Sequence, residues 1–279
     1  MNQRFCDLHT HSNYSDGTYT PAELIAEAER VGLSAIALTD HNTVAGLPQF
    51  LKAAEGSAVE AIPGIEISTE YGDRELHILG LFINEKYYDV ITERLLPIAI
   101  NKERSNVELI ETLAAAGYDI TYEEVAARMP NGQFNRSHVG EVLTEKGYTP
   151  SIEAAFRTVL SKDHGLYRQP KRLPALEIVE FLRAIGATPV LAHPFLSLTL
   201  DELRPFLREA VKHGLCGMET VYSTYDEKTT LLAASIADEF GLIRSGGSDF
   251  HGSRKTDIKM GTGRGNLFVP AEFVEKLRP

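Results

Sequence analysis

Six histidines and three carboxylates dominate the chemistry open to this 279-residue chain: His9, His11, Asp16, His41, Glu66, His77, His193, Asp249 and His251. The first three belong to Asp7-Leu8-His9-Thr10-His11-Ser12 and the Ser15-Asp16-Gly17 that follows. The apolar lead-in from Phe5 to Leu8 predicts a strand, and on a strand residues two apart share a face. His9 and His11 can then converge on one cation, with Asp16 returning from the next loop. Imidazole combined with carboxylate suits Zn²⁺, Mn²⁺ or Fe²⁺, whereas a structural zinc site calls for thiolates. Nine donors exceed the four of a structural zinc, so two or three divalent metals with open positions are expected, with Glu66 as a candidate bridge. Three divalent ions set against Asp16, Glu66 and Asp249 leave a surplus of about three positive charges, a trap for phosphate. Water on such a metal is acidified to a pKa of roughly 7, which predicts hydrolytic attack on phosphorus by metal-bound hydroxide.

The elements that must position these groups alternate. After the first strand, Thr20-Pro21-Ala22-Glu23 reads as a capping box with proline at the first helical position. Leu24, Ile25, Ala28 and Val31 then recur at helical spacing up to Gly32. Strand-like runs follow at 35–38, leading to Asp40-His41, and at 61–65, ending at Glu66. The last third repeats the pattern. A helix stopping at Gly186 precedes a short strand at 189–192 and then His193. A second capping box, Thr199-Leu200-Asp201-Glu202, opens a helix stopping at Gly214, followed by a strand at 217–222. A helix around 228–240 leads to a strand at 242–245 and then Ser248-Asp249-Phe250-His251. Alternating β and α units predict a parallel sheet closed into a barrel, with its site at the C-terminal ends of the strands. His77 departs from that rule, because the apolar run 78–83 follows it.

Residues 101–172 break the alternation. Val107, Ile110, Leu113 and Ala114 predict one helix, and Ile152, Ala155, Phe156 and Val159 another, with no comparable strand. A small helical cap inserted at 101–172 is expected, on a barrel made of 1–100 and 173–279. Cys6 and Cys216 are too few for a disulfide framework or a cysteine-rich zinc module. A net charge of -11 argues against a broad nucleic-acid-binding surface. With no leader and no apolar run long enough for a membrane span, the cytoplasm is the expectation. Asp40 reads as either a supporting or a structural residue, and Glu219 as either site support or a solvated or hydrogen-bonded carboxylate. Gly261-Thr262-Gly263-Arg264-Gly265 resembles a phosphate loop, but no helix follows it, which favours a flexible surface loop.

The whole set of motifs resembles the polymerase and histidinol phosphatase (PHP) family. The matching segments are Asp7-Leu8-His9-Thr10-His11-Ser12 with Ser15-Asp16-Gly17, Thr39-Asp40-His41, Pro63-Gly64-Ile65-Glu66, Leu76-His77, Ala192-His193-Pro194 and Ser248-Asp249-Phe250-His251. The resemblance implies a distorted seven-stranded β/α barrel, a trinuclear centre held by all nine residues, and phosphoesterase activity. Asp16 stands where some relatives use histidine. Asn135-Arg136-Ser137-His138 is similar to an Arg-x-His element in the branch acting on nucleoside 3',5'-bisphosphates and short oligonucleotide 5' ends. That likeness implies substrate binding by Arg136 and His138, with the Arg136 fork suited to a second phosphate. Glu66 and Arg136 are thus the candidate catalytic residues. The expected activity is hydrolysis of the 3'-phosphate of nucleoside 3',5'-bisphosphates. The alternatives are a 5'-3' exonuclease on short RNA or DNA, a histidinol-phosphate phosphatase, and a non-catalytic metal-stabilised binding module.

Overall fold

The structure is a computed structural model that describes residues 4–128, 134–168 and 170–279. Strand β1 (Phe5–Thr10) leads through a loop into helix α1 (Pro21–Val31), then β2 (Ala35–Leu38) and α2 (Leu47–Ala53). Strands β3 (Glu60–Tyr71) and β4 (Arg74–Leu81) form a hairpin, and the long helix α3 (Tyr88–Ala115) follows. Three short helices come next, α4 (Tyr122–Ala126), α5 (Arg136–Glu145) and α6 (Ile152–Arg157), and then the short strand β5 (Leu173–Pro174). Helix α7 (Ala175–Ala184) restores the alternation with β6 (Thr188–Leu191), α8 (Pro194–Ser197), α9 (Leu200–Ala210), β7 (Gly217–Tyr222), α10 (Glu227–Glu239) and β8 (Ile243–Gly247). Strand β9 (Val269–Pro270) and α11 (Glu272–Leu277) end the chain.

Both capping boxes form as their sequences predict. Thr20 accepts from Glu23 N while Glu23 reaches back to the Thr20 backbone, and Thr199 and Glu202 repeat the exchange. Gly32 takes the left-handed conformation that ends α1, at φ 80°.

The sheet runs β8-β7-β6-β4-β3-β2-β1-β9, with β5 beside β3. The β8 end then returns to β1, where Asp249 N–H donates to His9 O at 2.9 Å and His11 N–H to Phe250 O at 2.9 Å. Strands β1, β2, β3, β4, β6, β7 and β8 thereby make a nearly closed, seven-stranded barrel. Side chains alternate as strands require. Cys6, Leu8, Ala35, Ala37, Ile62, Leu79, Leu81 and Val190 share one cluster with Phe273, Val274 and Leu277 of α11. Ile36, Leu38, Ile65, Ile67, Ile78 and Leu191 join the helices in another.

The distortion lies in β4, which pairs antiparallel with both β3 and β6. This explains His77. A reversed strand brings its N-terminal end to the rim where its neighbours end, so His77 faces Ser68 in the ladder and its carbonyl accepts from Ala192 N–H. The expectation that a strand stops before Glu66 is corrected. Strand β3 continues to Tyr71, parallel to β2 over its first part and antiparallel to β4 from Gly64 onward. Change of partner, not the end of the strand, puts Glu66 at the rim.

Helix α3 crosses from one apolar cluster to another. Ile91, Leu95 and Ile98 pack into the barrel's outer core, while Leu109, Ile110 and Leu113 join Val125, Phe134, Val139, Val142, Leu143 and Tyr167. Among the described residues, no helix is long and apolar enough to cross a membrane.

Candidate metal centre

All nine predicted donors gather at one end of the barrel. His9 lies in β1 and His11 just beyond it, His41 follows β2, and Glu66 and His77 lie in β3 and β4. His193 follows β6, and Asp249 and His251 follow β8. Their donor atoms fall into overlapping groups within 4.8 Å: His11 with Asp16, His41 and His251; His9 with Glu66 and His193; His9 with His11 and Asp249; His41 with Glu66 and His77.

Each carboxylate is ringed by imidazoles. Glu66 Oε2 lies 3.3 Å from His9 Nε2, 3.3 Å from His11 Nε2 and 2.9 Å from His41 Nδ1. Glu66 Oε1 lies 2.7 Å from His77 Nδ1 and 3.1 Å from His193 Nε2. Asp249 Oδ1 approaches His11 Nε2 at 3.0 Å, and Asp16 Oδ1 approaches His251 Nε2 at 3.2 Å. Burial alone would raise the Glu66 carboxyl, but His41, His77 and His9 together hold it well below its ordinary value. In return Glu66 overcomes burial at His77 and pushes that imidazole up to about 10.

These groups fit divalent cations. His9 Nε2, both ring nitrogens of His11, His41 Nδ1, His193 Nδ1 and Glu66 Oε2 are buried with no hydrogen-bond partner. Leaving six such atoms without hydrogen bonds in one place is costly, and divalent cations of borderline hardness are the partners that imidazole and carboxylate donors accept.

Buried polar residues behind the donors set their positions. Glu219 Oε1 lies 3.0 Å from His9 Nδ1, and Glu219 Oε2 accepts from His193 N–H at 2.7 Å. Glu219 is thus a buried, hydrogen-bonded carboxylate behind two of the donor residues, and not a solvated one. Asp40 accepts from Ser12 N–H (2.7 Å), Ser12 Oγ (2.6 Å) and Ser15 Oγ (2.6 Å), pinning the loop that carries Asp16. Asp7 accepts from Ser248 N–H (2.8 Å), Ser248 Oγ (2.5 Å) and Gly261 N–H (2.8 Å), so it ties β1 to the Asp249 segment. The flexible-loop expectation for Gly261 to Gly265 is thereby corrected at its start, because Gly261 is buried against Asp7.

The pairing of β1 with β2 shifts register between Asp7 and Thr10, next to His9. Close approach does the rest. A Cβ on Gly247 would lie 2.5 Å from His9 N, and one on Gly17 would lie 2.3 Å from His11 O. His193 and Asp249 hold left-handed backbone, at φ 26° and 56°, a strain that tightly packed functional sites sustain.

Beside the donors lies a cavity of about 190 Å³, lined by Asp16, His41 and His77 of the donor set together with Lys102, Arg136, Tyr167 and Arg172. Arg136, the first residue of α5, lies over the Tyr167 ring at 4.1 Å and donates to Leu160 O at 3.3 Å. His138 is buried, and its Nδ1 accepts Asn135 N–H at 3.0 Å, capping the helix that presents Arg136.

Sequence reasoning missed several neighbours. Arg172 Nη2 pairs with Glu75 Oε2 at 2.7 Å, and burial pushes the Lys102 ammonium down to about 8. Lys255 Nζ meets Asp249 Oδ2 at 2.7 Å, where the Tyr222 hydroxyl also donates at 2.8 Å. Lys255 stands four residues after His251, the one sequence cue among them. Lys102, Arg172 and Glu75 belong to no motif.

Comparison with known proteins identifies the family. The PHP domain model matches residues 7–159. A 5'-3' exoribonuclease from Haemophilus influenzae is 31% identical over 88% of this chain and 89% of its own. A 3',5'-nucleoside bisphosphate phosphatase from Chromobacterium violaceum is 28% identical over 88% of this chain and 86% of its own. A solved structure from Chromobacterium violaceum, described as an amidohydrolase with bound sulfate and no metal, superposes with a TM-score of 0.87. It is 25% identical and covers 97% of this chain and 96% of that one. Fold, donor set and relatives agree: the chain belongs to the PHP domain family and is a phosphoester hydrolase.

Proposed function

We propose that this protein hydrolyses the 3'-phosphate of nucleoside 3',5'-bisphosphates at a centre of two or three divalent metals held by the nine donors. The observation that carries the reading is one cavity whose lining combines two anion-seeking sets of side chains. One set is the donor cluster, and the other is the cationic set Lys102, Arg136 and Arg172. A small molecule bearing two phosphates engages both sets, whereas a single phosphate engages only one. Divalent ions at the donor cluster supply Lewis acidity and a water acidified toward neutral pKa. Glu66, with imidazoles around both of its oxygens, would hold cations alongside them, and Glu219 orients His9. Arg136 grips the second phosphate through its planar fork, while His138 secures the end of α5 that carries it. In this reading residues 1–100 and 173–279 form the catalytic barrel and residues 101–172 its substrate-reading cap.

A second reading, a 5'-3' exonuclease on short oligonucleotides, has its own support. A larger cavity of about 830 Å³ also borders the donors, sharing Asp16, His41 and His77 with the first, and Arg254, Lys255 and Arg264 line it. It has room for further nucleotides. The test is a panel assayed with the Mn²⁺-loaded protein: adenosine 3',5'-bisphosphate, adenosine 3'-monophosphate, histidinol phosphate, an aryl phosphate and 5'-phosphorylated RNA and DNA oligonucleotides. The highest kcat/KM is expected for the bisphosphate, with release of inorganic phosphate. Faster shortening of oligonucleotides from the 5' end would replace the first reading with the second.

A further inference from the structure

Glu75 joins the two sets of side chains. Its Oε1 lies 3.4 Å from His77 Nε2, and its Oε2 lies 2.7 Å from Arg172 Nη2 and 4.0 Å from Arg136 Nη2. The Arg172 side chain is only 7% exposed, so the carboxylate it meets is an established partner and not a passing surface contact. Lys102 completes the cationic set. Three cations against one carboxylate leave about two positive charges facing the cavity, the match for one phosphate dianion.

Hydrolysis of a 3',5'-bisphosphate removes only one of its two phosphates. The nucleoside 5'-phosphate product keeps the group that the arginines hold, so the anchor that recruits substrate also retains product. A fixed carboxylate on those same arginines weakens the anchor and reclaims it when the product leaves.

We propose that Glu75 is a specificity-determining residue that competes with the substrate's second phosphate for Arg172 and Arg136 and so sets how tightly the nucleotide product is held. This rests on the assignment of the arginine pair to that second phosphate. Glu75→Gln removes the charge yet keeps a carbonyl oxygen for Arg172, so the pair stays assembled while its competitor is gone.

The experiment is calorimetric titration of the metal-loaded protein with adenosine 5'-monophosphate, alongside its inhibition constant in the hydrolysis assay. Metal content is matched between variants. In Glu75→Gln, both constants are expected to fall about five- to ten-fold, the effect of one unit charge a few ångströms from the ligand in a partly wet cavity. Weak binding of adenosine, which lacks the phosphate, should not change. In an Arg172→Ala background the Glu75→Gln effect should shrink by more than half, because the contested group is missing. Should Glu75→Gln fail to melt cooperatively, Glu75→Asp carries the test. Its shortened carboxylate is expected to tighten adenosine 5'-monophosphate binding by a smaller factor. Unchanged or weaker binding of adenosine 5'-monophosphate by a folded Glu75 variant overturns the proposal. Tighter binding in a protein that hydrolyses no bisphosphate would instead remove the substrate assignment and leave the role of Glu75 intact.

Discussion

Replacing Arg136 by alanine separates substrate reading from chemistry. A charge-assisted contact to a phosphate is worth roughly 1.5–3 kcal/mol, which is about ten- to hundred-fold in kcat/KM. That loss is expected for adenosine 3',5'-bisphosphate. An aryl phosphate, which has no second phosphate to lose, should change by less than about two-fold. The structure also sets a folding cost. Arg136 lies over Tyr167 at 4.1 Å and over Phe156 at 5.2 Å, and donates to Leu160 O at 3.3 Å. Two partly exposed cation–π contacts and one charge-assisted hydrogen bond come to about 2.5–5 kcal/mol, a Tm drop of roughly 5–10 °C in a chain this long. Assays well below the variant's Tm therefore keep the two effects apart. Arg136→Lys, which retains the charge and loses the fork, should fall between wild type and alanine on the bisphosphate alone. Equal proportional losses on both substrates would refute the assignment and place Arg136 in the catalytic step or in folding.

Three further outcomes are expected. Glu66→Gln should abolish turnover and lower the metal content measured by elemental analysis while the barrel still melts cooperatively. Near-normal turnover at saturating metal would exclude a bridging role. Chelation should remove two or three metals per chain, abolish hydrolysis and lower the Tm, since the ions bind the folded state alone; Mn²⁺ or Zn²⁺ should restore both. A stoichiometry of at most one after reconstitution would contradict a multinuclear centre. Glu202, bonded to Thr199 N–H and Oγ1 and to Arg74, has its carboxyl drawn down from 4.5 to about 2. A carboxyl depressed in the fold stabilises above its unfolded value, and that stabilisation disappears as pH falls through the folded value. The Tm gap between wild type and Glu202→Gln should thus be full at pH 6 and close between pH 4.5 and about 2. A gap independent of pH would show that capping geometry, not charge, is at work.

The donors were legible in the chain because their chemistry is local. A histidine or carboxylate placed just past an apolar run marks a strand exit, and most of the nine sit at or near such positions. The capping boxes at Thr20 and Thr199 and the helix stop at Gly32 were equally legible, since each depends on residues within a turn of one another. His77 was named as a donor with no account of its placement, and Glu66 was placed at a strand end, although the strand runs on to Tyr71. Their positions depend on β4 running antiparallel between β3 and β6, and strand direction is set by which neighbours pair, not by the residues of the strand itself. The supporting groups show the same limit. Asp7 reaches Ser248 and Gly261 across more than 240 residues of chain, and Glu219 reaches back to His9 across 210. Lys102, Glu75 and Arg172 converge on one cavity from α3, β4 and the segment before β5. Residue types and local periodicity alone determined which groups could bind metal and which segments would carry them. Closure of the barrel decided which of the remaining charges face that site, because charges carry no periodic signal and take their partners from whatever the packing of distant segments brings alongside.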